Sequence, residues 1–131
     1  MKIDNILLDK LTTQAKESPR LRMNLDLRNS AADSSQRMLN AIEPGSVVPI
    51  HRHQKTSETV VVLRGRVEEE YYSSAGVLEA SYELAAGGPV FALNIPAGQW
   101  HTLRALESGT VILEMKDGAY EPIGAEDVME R

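Results

Sequence analysis

The spacing of apolar residues changes part-way along the chain. Over residues 4–17, leucines and an alanine recur every three or four positions, which is the spacing of one helix face. Asp4 or Asn5 is placed to cap this predicted helix, and a Ser-Pro pair ends it. Residues 19–35 lack this period and predict an extended arm followed by a polar loop.

From residue 36 onward, short segments rich in β-branched or aromatic residues predict strands, separated mostly by glycine or proline. Many short strands at such spacing are typical of an all-β sandwich or barrel. We therefore predict a helix and arm over 1–35, a β domain over 36–120 and a loosely ordered C-terminal tail over 121–131. The predicted strand segments are QRMLNAI, SVVPIHRH, ETVVVLRGRVEEEYY, VLEASYEL, VFALNIP, WHTLRAL and TVILEMK.

Composition narrows the class of protein and of partner. With 131 residues, 42% of them hydrophobic, the chain is large enough for one domain with its own core. A formal net charge of −5 argues against nucleic acid or an anionic membrane as the main partner. There is no cysteine, so nitrogen and oxygen must hold any metal. No apolar run is long enough to span a membrane and the N-terminus is a poor signal peptide, so we expect a cytoplasmic protein.

The three histidines of the chain fall in a pattern that suits a metal. Side chains alternate faces along a strand, so His51 and His53 project to the same side. A short QKTS turn lets Glu58 return beside them, and His101 opens another strand after a Pro-Ala-Gly turn. Three imidazoles and one carboxylate suit one divalent first-row metal. The alternatives are that the histidines are ordinary surface or core residues, or that they surround a pocket that is used without metal or with a metal that is bound only occasionally.

Two segments around these residues resemble the cupin motifs. Residues 45–65 match the first motif at every position, and residues 96–101 resemble the core of the second, Pro-x-Gly-x-x-His. The asparagine that the family has four residues beyond this histidine is Ala105 here. In cupins, the matching residues bind one metal inside a double-stranded β-helix, or jelly-roll, barrel, which implies an all-β fold. The ligands implied are His51, His53, Glu58 and His101, and the metal could be Fe, Mn, Ni or Zn.

A narrower resemblance covers most of the chain. The segments SPRLRMNLDL, SSQRMLNAIEPGS, PIHRH, VVLRGRV and IPAGQWH look like those of WbuC-type cupin fold metalloproteins. That family is associated with bacterial surface-polysaccharide gene clusters and usually has a histidine where this chain has Arg28. The resemblance implies a metal-dependent enzyme, an isomerase, lyase or oxygenase, acting on a small polar molecule such as a sugar derivative. The alternative is a non-catalytic module that binds a metal and a small ligand, for example as a sensor.

The segment VVVL is apolar on both faces and bears on the oligomeric state. Val60 and Val62 share the face of Glu58 and should line the barrel, so Val61 and Leu63 need cover from outside. The N-terminal helix is one cover and a second copy of the chain is the other. We predict a homodimer.

Arginines in this acidic chain suggest the charge of the ligand. Arg37 and Leu39 occupy alternate positions of the first barrel strand, which predicts that Arg37 points inward beside the metal and binds an anionic group. Arg20 and Arg22 lie two apart in the arm and share a face if the arm forms a strand. The acids at positions 68–70 are predicted to form a solvated strand end.

Overall fold

Two antiparallel sheets and one α-helix make up the computed structural model, which describes residues 1–129. The predicted all-β fold is confirmed. Along the chain the elements are α1 (Asn5–Glu17), β1 (Arg22–Asp26), β2 (Ser35–Ile42), β3 (Glu58–Arg64), β4 (Arg66–Tyr72), β5 (Leu78–Ala85), β6 (Ala92–Ile95), β7 (Trp100–Ala105), β8 (Thr110–Asp117) and a short 3-10 helix (Ala125–Asp127). One sheet has the order β1-β2-β8-β3-β6 and the other β5-β4-β7.

The N-terminal helix α1 packs on the outer face of the larger sheet, and its predicted bounds are confirmed. The Asp4 carboxylate accepts a hydrogen bond from the backbone N–H of Leu7, which satisfies a free donor of the first turn. No helix within residues 1–129 is long and apolar enough to cross a membrane. The buried residues of this contact are Leu8, Leu11 and Ala15 of the helix with Leu39, Ala41 and Val111 of the sheet.

A second apolar cluster fills the space between the two sheets. As predicted, Val60 and Val62 lie in it, whereas Leu63 packs against the helix cluster on the other face of the same strand. The larger sheet therefore buries both of its faces. The inner cluster is Ile42, Val60, Val62, Val67, Leu84, Ile95, Leu103, Ala105 and Ile112.

The chain passes from one sheet to the other at Gly65, between β3 and β4. This residue has φ +84, and a Cβ atom there would lie 2.3 Å from Oγ1 of Thr110. The preceding Arg64 ties this corner to the helix, because its guanidinium contacts Asp9 at 2.6 Å and Thr12 at 3.0 Å. Glycine is therefore required at this junction both for conformation and for space.

Two expectations about local structure are wrong. The segment SVVPIHRH is not a regular strand, and only His51 in it forms isolated bridges, one with His101 and one with Val128. The tail is not loose over its described part, because the backbone of Asp127 accepts from Arg52 and that of Met129 donates to Ile50. Positions 130 and 131 lie outside the described residues. The tail thus runs along the segment that carries the histidine pair.

The homodimer stays a prediction. The helix cluster covers Leu63, whereas Val61 belongs to neither apolar cluster and is half-buried. A second chain over this face would remove the remaining apolar surface from water. Multi-angle light scattering at micromolar concentrations should give the mass of two chains. A mass of one chain across that range would rule the dimer out.

Candidate metal centre

The structure brings all three histidines together at one end of the barrel. One ligand nitrogen from each of His51, His53 and His101 lies within 4.8 Å of the others. The backbones of His51 and His101 pair directly, with N–H to O distances of 3.0 and 2.8 Å between them, and their ring centres are 4.4 Å apart. Arg52 points the other way and its guanidinium stacks on Trp100 at 4.6 Å. Residues 50 positions apart therefore form one cluster.

Two of the imidazoles are oriented by their own backbone. Nδ1 of His51 lies 2.8 Å from the carbonyl of Pro49, and Nδ1 of His101 lies 2.8 Å from the carbonyl of Gln99. Because a carbonyl oxygen can only accept, both Nδ1 atoms carry the proton and both Nε2 atoms present a lone pair. Such a bond on the far nitrogen is typical of histidines that bind metals.

The electrostatic surroundings keep these rings neutral. Burial, followed by the neighbouring His101, lowers the pKa of His51 to about 4. Burial is also the main cause that lowers the pKa of His101. A neutral imidazole is the form that donates to a metal, so both rings are in the binding form at neutral pH.

The predicted carboxylate ligand, Glu58, lies beside the cluster at the start of β3. Its Oε2 atom is 3.0 Å from Nε2 of His53, whose Nδ1 is 3.1 Å from Nζ of Lys116. Burial raises the pKa of Glu58, but the hydrogen bond from His53 and the electrostatic effect of the three histidines outweigh it and lower the pKa overall. The carboxyl group is therefore ionised and suited to a cation.

One buried atom tests whether a metal fits here. His101 is 3% exposed, and its Nε2 has no hydrogen-bond partner among the described residues. A buried nitrogen lone pair without a partner costs free energy, which a cation bound to it would remove. Because Nε2 of His53 donates to Glu58, a metal would displace that proton. Three imidazole nitrogens and one carboxylate would then form a donor set that suits a divalent first-row metal. The residues present therefore fit the metal.

A carboxyl group that the sequence did not single out shares the cavity with these ligands. Glu114 on β8 lines the two cavities, of about 190 and about 430 Å³, that also contain His51 and Glu58. It faces Val60 across the β3–β8 ladder, which aims it into the barrel. Burial, then the charge of Glu58, raises the pKa of Glu114 to about 8. The only signal in the sequence was its position two residues beyond the buried Ile112.

Glu69 corrects the expectation of a solvated acidic strand end. Its side chain is 0% exposed and both carboxyl oxygens lack a hydrogen-bond partner among the described residues. It alternates with Val67 and Tyr71, which both contact the inner apolar cluster. Burial, followed by the charge of Glu58, raises the pKa of Glu69 well above its usual value of 4.5. A protonated carboxyl group thus lies inside the barrel.

The predicted direction of Arg37 is wrong. It shares the outer face of β2 with Leu39 and Ala41, which pack against the helix. Its guanidinium contacts Asp33 at 3.4 Å and donates to the carbonyl of Leu27 at 3.1 Å. Arg37 does contribute to the lining of the cavity of about 190 Å³ that contains His51 and Glu58. Because its guanidinium already has a carboxylate partner, Arg37 does not offer the free positive charge that was predicted for an anionic ligand.

Two residues differ from the patterns of the families that the sequence resembles, and the structure shows the contacts of both. Arg28, in the position of the usual histidine, forms an ion pair with Asp26 at 2.8 Å and lies over the ring of Tyr120 at 5.6 Å. Tyr120 in turn lines the cavities of the histidine cluster. Ala105, in place of the asparagine, is 7% exposed and belongs to the inner apolar cluster. That position therefore contributes packing here.

One known protein family matches the part of the chain that contains most of the site residues. The family described as "Domain of unknown function (DUF6016)" matches residues 3–84, more than half of the chain. The chain belongs to this family. The DUF6016 match includes His51, His53 and Glu58, and it ends before His101. No curated protein matches this DUF6016 chain.

Solved structures similar to this DUF6016 protein show its fold. An oxalate oxidase in complex with glycolate has a TM-score of 0.66 at 17% identity, covering 83% of this chain and 57% of its own. CapF with the inhibitor 3-isopropenyl-tropolone has a TM-score of 0.65 at 18% identity, covering 76% of this chain and 28% of its own. KdgF from Halomonas sp. has a TM-score of 0.62 at 16% identity, covering 79% of this chain and 84% of its own. The cupin fold is confirmed, and the DUF6016 chain spans less than a third of the CapF chain.

Proposed function

We propose that this protein binds one divalent metal through His51, His53, Glu58 and His101 and is a metal-dependent enzyme acting on a small polar molecule. The observation that carries the proposal is the cluster of three histidine nitrogens within 4.8 Å, beside Glu58 in a cavity of the barrel. Isolated histidines are common in proteins. Here every histidine of the chain belongs to this one cluster.

Some residues of the site orient the metal ligands or supply negative charge, and another is suited to proton transfer. The carbonyls of Pro49 and Gln99 fix the rings, and Glu58 supplies negative charge. When bound, the metal would polarise a carbonyl or hydroxyl oxygen of the substrate, or lower the pKa of a bound water. Glu114 lines the same cavity, so its carboxyl group can give or take a proton on a ligand bound there.

The position of Glu114 favours an enzyme over a binding module. A module that only stores or senses a ligand does not need an ionisable carboxyl group in its cavity. Burial holds the pKa of Glu114 at about 8, which is close to the working pH and is the condition for efficient acid–base catalysis. An isomerase or a lyase, whose reactions move a proton, would use such a group.

Two resemblances support a sugar-derived substrate. The sequence resembles WbuC-type cupin fold metalloproteins, which are associated with surface-polysaccharide gene clusters. CapF from Staphylococcus aureus, one of the structures with the same fold, is described as a capsular polysaccharide assembling protein. We therefore place the proposed reaction in the metabolism of bacterial surface polysaccharides.

Metal analysis tests this proposal. Protein purified without added metal should contain about one Fe, Mn, Ni or Zn ion per chain by elemental analysis. The double variant His51→Ala with His53→Ala should contain only a background amount, because two of the four donors are gone. Its circular dichroism spectrum should match that of the original protein, since a core of this size does not need a metal to fold.

A matched pair of glutamate variants controls for unspecific effects. Glu58→Gln should lower the metal content, whereas Glu79→Gln, an exposed position on β5, should leave it unchanged. Unchanged metal content in the histidine double variant would remove the proposed centre.

A further inference from the structure

Within residues 1–129, Arg20 and Arg22 differ from the other arginines in forming no ion pair with an aspartate or a glutamate. Residues 1–129 contain eight arginines, and the other six each form an ion pair with an aspartate or a glutamate. In a chain with a net charge of −5, acidic partners are plentiful. The paired residues are Arg28, Arg37, Arg52, Arg64, Arg66 and Arg104.

These two arginines lie on the wall of the cavity that contains the metal centre. The residues that line the cavity of about 430 Å³ include Arg20, Arg22 and Asn40 together with His51 and His101. This volume is within the usual range of small-molecule sites. The β1–β2 register explains the placement, because Arg22 faces Ile42, whose side chain belongs to the inner cluster.

The guanidinium of Arg22 is held in place with part of its donor set unused. Its Nη1 atom donates to the carbonyl of Val47 at 2.7 Å and contacts Oγ of Ser46 at 3.5 Å. Within the described part of the chain, Nη2 and Nε of Arg22 have no partner. The side chain of Arg20, at the exposed mouth of the cavity, likewise has no partner there. A fixed guanidinium with free donors is suited to two-point binding of a carboxylate or phosphate.

Two glutamates, Glu58 and Glu114, line the same cavity as the two arginines. Burial, followed by the nearby charge of Arg20, lowers the pKa of Arg22, whereas the charge of Glu114 raises it. Among the described residues, neither arginine forms an ion pair with these glutamates, so both guanidinium groups stay available to a ligand. The amide oxygen of Asn40, which is 8% exposed, has no hydrogen-bond partner among the described residues. A ligand with an anionic group and a neighbouring hydroxyl would complement both features.

We propose that Arg20 and Arg22 bind the anionic group, a carboxylate or a phosphate, of the small molecule that reaches the metal centre. This inference rests on the proposed function for the role of the ligand, but the anion site can be measured without it. The substrate class is then an acidic or phosphorylated polyhydroxy compound, with its charged end at the mouth of the cavity and a hydroxyl near Asn40.

Calorimetric titration with three matched probes tests the anion site. The probes are D-gluconate, D-glucitol 6-phosphate and neutral D-glucitol, each titrated into protein as purified and after treatment with EDTA. At least one anion should bind about tenfold or more tightly than D-glucitol, and the stronger one identifies carboxylate or phosphate. Arg22→Gln should weaken that binding about tenfold to a hundredfold, which corresponds to losing charge-assisted hydrogen bonds.

Two further variants separate the loss of the anion site from effects on folding and on metal binding. Arg20→Gln, at the exposed mouth, should also weaken anion binding, whereas Arg104→Gln, paired with Glu68 outside the barrel, should not. All three variants should keep the metal content of the original protein. The inference is overturned if neither anion binds more tightly than D-glucitol, or if both cavity variants bind like the original protein. Absence of metal from the original protein would instead contradict the proposed function, and anion binding after EDTA treatment would still decide this inference.

Discussion

Gly65→Ala is expected to lower the free energy of unfolding by about 2–4 kcal/mol, whereas Gly98→Ala should lower it by only about 1 kcal/mol. Both glycines have φ +84, a conformation in which any side chain is strained. At Gly65 the new methyl group would also lie 2.3 Å from Oγ1 and 2.8 Å from Cα of Thr110. At Gly98 nothing lies within 4 Å.

The neighbour of Gly65 has little freedom to move away. Thr110 is 0% exposed, and its hydroxyl donates to the carbonyl of Glu107 at 2.7 Å and accepts from the backbone N–H of Arg66 at 3.2 Å. Urea denaturation of the two variants, analysed with a common slope, measures the difference. Equal losses at both positions would show that contact with Thr110 does not limit this corner.

Glu69→Leu is expected to raise the free energy of unfolding by about 1–4 kcal/mol at pH 8, because it removes a fully buried carboxyl group without partners. The gain should depend on pH. The folded pKa lies above the unfolded value of 4.5, so the folded state holds more protons above that pH. Stability of the original protein therefore falls as pH rises from about 4.5 towards the folded pKa, by up to about 1.4 kcal/mol per pH unit.

A neighbouring variant serves as the control for this pH dependence. Glu70 lies on the opposite face of β4, so Glu70→Leu should change the free energy of unfolding by less than about 0.5 kcal/mol at pH 4.5 and at pH 8. Chemical denaturation at pH 4.5 and pH 8 gives the comparison. If Glu69→Leu loses stability, or gains the same amount at both pH values, Glu69 is not a strained buried acid.

The strands and the histidine motif were predictable because each depends on local spacing. The glycines and prolines between apolar segments marked most strand ends, and three histidines in two short motifs marked the cluster. The SVVPIHRH segment was mistaken for a strand because it is rich in β-branched residues. Its backbone instead bonds mainly to single residues of other segments, which no local pattern records.

The side chains inside the cavity were harder to predict because the sequences of β2 and β4 do not show which face of the strand lies inside the barrel. On β2, both Leu39 and Ile42 are buried, one under the helix and one in the barrel, so alternation alone did not place Arg37. On β4, the run of three glutamates resembles a solvated end. The direction of Glu69 follows from its pairing with Leu103 across the β4–β7 ladder and from the burial of Val67 on the same face. These choices depend on tertiary packing.

The hydrogen bonds from Nδ1 of His51 and His101 to carbonyls two residues earlier have a consequence for the evolution of this protein. Each ring takes its aim from its own main chain, so no neighbouring side chain has to be retained to keep that aim. Side chains such as Asn40 and Arg22 can then be exchanged for others without turning these two rings. The same scaffold can therefore acquire new ligand preferences by single substitutions while both rings keep their orientation.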